Sequence, residues 1–81
     1  MSREVSATLV TDNTGFTFLV LGTDDLPYAV LDRAEAELKS RDEYADLKAA
    51  AEPRDDGTER LEVGTVTVTD SGQYDGLTVT A

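Results

Sequence analysis

The stretch Gly15-Phe16-Thr17-Phe18-Leu19-Val20-Leu21-Gly22 decides how this chain folds. A strand that buries one face alternates apolar with polar residues. After Thr17 this stretch is apolar on both faces, so a single layer of cover leaves one side bare. It follows Val5 to Thr11, which alternates with Val5, Ala7 and Leu9 on one face, and the turn cluster Asp12-Asn13-Thr14-Gly15. The two runs read as a β-hairpin closed at a glycine suited to positive φ.

Two registers fit. With Thr11 opposite Phe16, the residues Val5, Ala7, Leu9, Phe16, Phe18 and Val20 share one face. Val10, Leu19 and Leu21 then lie on the other, among Ser6, Thr8 and Thr17. With a bulge at Gly15 and Asp12 opposite Phe16, the second strand slips by one residue. Val5, Ala7, Leu9, Leu19 and Leu21 then form the core face, and Val10, Phe16, Phe18 and Val20 the other. The first register gathers more apolar groups on one side and is the expected one. Neither leaves the outer face polar.

The following segment, Gly22 to Ser40, reads as an amphipathic helix. Thr23, Asp24 and Asp25 offer acceptors to its first amides, and Pro27 suits its first turn. Leu26, Val30, Leu31, Ala34 and Leu38 fall on a stripe about 140° wide at the helical angle. Ser40 with Glu43 matches a capping box, which splits the helical region into Leu26 to Lys39 and Arg41 to Glu52. The second piece puts Tyr44, Leu47 and Ala51 on one side, with the stem of Lys48 beside them. Pro53 ends it, and Arg54 to Gly57 makes a polar loop.

Glu59 to Thr69 is a strand whose apolar parity switches at Gly64: Leu61 and Val63 are odd, Val66 and Val68 even. A bulge at Gly64 unites all four on one face. The loop Asp70 to Gly76 leads into Leu77 to Thr80. The expected fold is therefore α+β, a single domain over residues 1–81. An antiparallel sheet of two β-hairpins in the order ββ-α(α)-ββ carries one bent helix or two helices on one face. A β-grasp-like arrangement is the nearest generic alternative.

The core Asp70, Ser71, Gly72 and Tyr74 resembles the tyrosine-corner segment of immunoglobulin domains, over that segment alone. Gly76 stands where such a domain has cysteine, the chain holds neither cysteine nor tryptophan, and a central helix does not suit a sandwich.

The chain carries seventeen acidic and seven basic residues, a net charge of −10. That field opposes binding to phosphate backbones, so direct nucleic-acid binding is not expected. It suits a salt-adapted surface, where carboxylates hold hydrated counter-ions and salt screens their repulsion. It also suits an acidic mimic of nucleic acid, such as an inhibitor of restriction or CRISPR systems seated in a basic groove. Histidine and cysteine are absent, which removes the commonest general base and the thiolate metal sites. The serines have no histidine to activate them. Asp55, Asp56 and Glu59 around Gly57, and Asp70 with Asp75, lack the ligand spacing of an EF-hand loop. No catalytic residues, metal or cofactor are expected. The sequence shows neither a membrane-spanning run nor a signal-peptide core, so the expected location is the cytoplasm, or a virion assembled in it.

The apolar residues left over on the sheet are the candidate site. Val10, Phe16, Phe18, Leu19, Leu21 and Tyr74 are the expected interface, spanning both registers, and the expected partner is a second copy or another protein. A small structural or assembly protein is the leading expectation. The acidic mimic and a small ligand-binding regulatory domain are the alternatives.

Overall fold

The computed structural model describes residues 1–80. Strands β1 (Ser2–Thr11) and β2 (Thr17–Leu21) form the first hairpin. Helices α1 (Tyr28–Ser40) and α2 (Tyr44–Ala49) follow, then β3 (Glu52–Pro53), β4 (Glu59–Thr69) and β5 (Tyr74–Val79). The architecture is α+β, an antiparallel sheet in the order β2-β1-β4. β3 and β5 share the far edge of β4: β3 pairs with its start at Glu59 and Arg60, β5 with residues 64–68. Both helices pack on one face, and the molecule measures 37 × 26 × 17 Å, two layers thick.

Three tight turns close the hairpins, and they are the same turn; on β5 an extra residue, Asp75, then shifts the register by one beyond Tyr74. In each, three residues ending in a glycine at positive φ separate two residues that pair directly. Asp12 donates its amide to the Phe16 carbonyl at 2.9 Å around Asn13-Thr14-Gly15. Arg54 does so to Thr58 at 2.7 Å around Asp55-Asp56-Gly57, and Thr69 to Gln73 at 2.9 Å around Asp70-Ser71-Gly72. Gly15, Gly57 and Gly72 have φ of 88°, 85° and 80°, the left-handed position that closes a three-residue hairpin loop. The first and third share a side-chain device as well. Asp12 Oδ1 accepts from the Thr14 hydroxyl and the Phe16 amide, while Thr69 Oγ1 meets the Ser71 hydroxyl and accepts from the Gln73 amide.

The first turn overturns the preferred register. Asp12, not Thr11, faces Phe16, so Thr11 pairs with Thr17, Val10 with Phe18, Leu9 with Leu19 and Ala7 with Leu21. The apolar count favoured the other pairing, but turn geometry fixes register before packing is consulted. Leu19 joins Ala7 and Leu9 in the core, and Leu21 packs against it. Phe16, Phe18 and Val20 turn to the uncovered face.

The bulge on β4 lies where the parity switch places it. Ala7 pairs with Gly64 and Thr8 with Glu62, leaving Val63 as the extra residue. Val63, Val66 and Val68 are thereby all buried under the helices, with Leu61 packed against them. α1 contributes Val30, Ala34 and Leu38, and α2 contributes Leu47. Tyr44 packs against that core as its helical spacing implies.

The helix ends differ from expectation. Pro27 is the N-cap of α1 and makes no side-chain cap, while the Thr23 hydroxyl bonds to Asp25 instead. The capping box is not formed: Ser40 Oγ donates back to the Glu37 carbonyl at 2.7 Å, and α2 begins behind Glu43. α2 stops at Ala49 because the chain must extend for Glu52 and Pro53 to pair with β4. Proline is tolerated there because β3 is a sheet edge.

Candidate functional site

The face of the sheet away from the helices is mostly hydroxyls and charges. Cross-strand pairing places Ser6 beside Thr65 and Thr65 beside Thr78, and Glu4 beside Thr67. Only one corner is apolar. There Val10 is flanked by Phe18 on β2 and Arg60 on β4, and Val20 lies next along β2. Phe16 and Phe18 stack, with ring centroids 6.1 Å apart and planes 22° from parallel. Phe16 is 59 % exposed and Val20 41 %, while Val10 is buried beneath its neighbours yet lies outside the core cluster. Cations border the corner: Arg60 lines a hollow with Val10, Phe18 and Val20, and Lys39 stands 5.6 Å over the Phe16 ring.

Of the six expected interface residues, Val10, Phe16 and Phe18 meet at this corner. Leu19 and Leu21 do not; they lie on the core face, as the register requires. Tyr74 is also on the core side, half-buried opposite Val68, with the Arg33 guanidinium of α1 5.9 Å over its ring. Its hydroxyl makes no hydrogen bond, so the backbone bond of a tyrosine corner is not formed. Val20 completes the corner; the second register puts it on this face, but the expected interface leaves it out. The recurrent three-residue glycine turn is the signal that assigns it.

The β2 and β5 edges are each guarded by a charged side chain of the α1 region. On β2 the Leu19 amide points away from β1 and donates to Glu35 Oε2 at 3.3 Å. Lys39 holds the other oxygen of Glu35 at 2.8 Å. On β5 the Leu77 carbonyl accepts from the Arg41 guanidinium at 2.7 Å. Arg41 sits just past the helix C-terminus, where a cation also meets the favourable end of the dipole. Such guards discourage other chains from pairing with an edge.

No family model, curated protein or solved structure matches the chain.

The carboxylates with perturbed titration serve turns. Asp12 is held below the usual carboxylate range chiefly by the Thr14 hydroxyl, with the Thr14, Phe16 and Gly15 amides adding to it. The Thr23 hydroxyl and then Arg3 lower Asp25, and the Thr58 hydroxyl and amide lower Asp56. A general acid needs the opposite shift. Among the described residues, no three acidic side chains stand together as metal ligands, and no helix is long and apolar enough to cross a membrane.

These shifts give a signed pH dependence. A carboxylate whose folded pKa is depressed contributes stability above its unfolded value, near 3.8, and loses it as pH falls through the folded value. Thermal midpoints measured from pH 7 down to 2.5 should therefore fall more steeply below about pH 4 for the native chain than for Asp12→Asn. Parallel curves would mean that Asp12 makes no net contribution.

Proposed function

We propose that this is a non-enzymatic assembly protein that self-associates through the phenylalanine corner of its open sheet face. The observation that carries this reading is the stacked Phe16–Phe18 pair with Val20, left without cover on a face otherwise made of Ser, Thr and Glu. Full burial of such a side chain is worth about 1.5–3 kcal/mol, a reason for exposed clusters of this kind to find a partner. A second copy suits the corner because Arg60 and Lys39 border it. Paired with Glu35 and Asp56, they leave this corner without net negative charge on a chain of charge −10. The acidic surface is read as salt adaptation. Mimicry of nucleic acid needs an unbroken line of carboxylates, and the accessible side of α1 instead interleaves Arg33 and Lys39 with Asp32 and Glu37.

Salt should strengthen this association. At 1 M the screening length falls to about 3 Å, and excluded salts such as sulfate also favour apolar burial. Light scattering coupled to size exclusion should show a larger species at high salt that Phe16→Ser returns to the monomer. A monomer at every salt concentration, or a Phe16→Ser chain that associates as before, would overturn the reading.

A further inference from the structure

The edge of β2 is guarded along only half its length. Tyr28, Leu31, Glu35 and Lys39 run down one flank of α1, and they follow β2 from its end back to its start. Lys39 reaches Phe16 and Glu35 reaches Leu19, closing the first half. Beyond Leu19 the helix leaves an open groove of about 450 Å³, lined by Leu19, Leu21, Leu26, Tyr28, Leu31 and Asp24 among others. Tyr28 is 83 % exposed at its rim.

The groove is more than an apolar hollow. Backbone groups on an antiparallel strand alternate in direction, so the residues whose neighbours bond to β1 point outward. The Phe16 carbonyl and the Gly22 amide both bond toward β1, and the Leu19 amide points out to Glu35. The amide and carbonyl of Leu21 therefore point outward too, as does the Leu19 carbonyl, and no strand pairs with them. Groups of this kind take an added strand, with alternate side chains entering the pocket beside it. Gly15 to Thr23 contains no charged residue, so nothing on the strand itself repels one.

Charge decides the occupant. Asp24 lines the groove and makes no ion pair among the described residues, and no cation lines it. Asp32 is exposed on α1 next to Leu31. A second copy is a poor fit here, since both chains carry a charge of −10 and the β2 edge from Gly15 to Thr23 brings no cation to Asp24. We propose that this groove docks an extended segment of another protein that carries lysine or arginine beside its apolar residues. The added strand bonds to Leu21 and the Leu19 carbonyl, an apolar side chain enters between Leu26 and Leu31, and a cation meets Asp24. The groove shares Phe18 and Val20 with the phenylalanine corner, but the inference does not rest on the self-association reading.

The test uses Phe16→Ser, so that failure at the phenylalanine corner is separated from failure here. Six-residue peptides alternating Val with Thr, ended by Lys, by Glu or by Ser, are titrated at low salt while amide exchange is followed by NMR. The Lys-ended peptides should slow exchange at the Leu21 amide and bind about tenfold tighter than the Glu-ended ones. Asp24→Asn should narrow that gap. Equal binding of Lys- and Glu-ended peptides, or no protection of Leu21 by any of them, would overturn the proposal. So would a Leu21 amide already protected in the free protein, rising with its concentration, because a second copy would then hold the edge.

Discussion

Replacing Gly64 by alanine should destabilise the chain by about 2–6 kcal/mol. Gly64 sits at φ +149°, a region that L side chains rarely adopt, and it forms the β4 bulge that Val63 opens. A Cβ there would run into the Thr78 carbonyl oxygen on β5, with the carbonyl carbon only 2.9 Å away. The obstacle is backbone, so no rotamer change relieves it; β5 must move off β4. Forced backbone strain of this sort costs about 1–3 kcal/mol, and overpacking about as much again. Against the roughly 4–12 kcal/mol expected of a domain this size, the sum removes much of the margin. Gly76, also on β5, is the control: a Cβ there meets nothing within 4 Å, and Gly76→Ala should be neutral or slightly stabilising. Urea midpoints for the two variants should differ widely. Matching midpoints would show that β5 can shift without loss.

That position also shows what the sequence made legible. The parity switch from Leu61 and Val63 to Val66 and Val68 has one simple solution, an extra residue beside the only glycine in the run, and the strand folds that way. The stripe Val30, Ala34 and Leu38 was equally readable because a long amphipathic period leaves no competing face. The first hairpin was not readable from apolar content, since β2 is apolar on both sides and each register offers a plausible core. The deciding energy there is in the turn, where Asp12 gathers the Thr14 hydroxyl and the Phe16 amide on one oxygen. The two later turns, Asp55-Asp56-Gly57 and Asp70-Ser71-Gly72, repeat the pattern. Two further misses have different causes: Ser40 matches a capping box but ends α1 and bonds back within its own helix to Glu37, while Tyr74, expected at the interface, is drawn to the core side under Arg33.

Leu19 and Val20 are neighbours in the stretch that decides the fold, and truncating them should give opposite results. Leu19 is fully buried against Ala7, Leu9 and the α1 stripe, so Leu19→Ala removes core methyl groups and leaves a cavity. Such changes cost about 2–5 kcal/mol, up to the whole stability of a small domain. Val20 points to the open face, and Val20→Ala should cost under about 1 kcal/mol in the monomer. In the associated form the order of consequences reverses, because Val20 belongs to the phenylalanine corner and Leu19 does not. Denaturation at low protein concentration, set beside the high-salt oligomer content of Val20→Ala, separates the two effects. A one-residue slip of β2 would exchange every side chain between faces, so a Val20→Ala chain less stable than Leu19→Ala would sink the register. The phenylalanine corner and the outward-facing Leu21 backbone would go with it, since both follow from Asp12 pairing with Phe16.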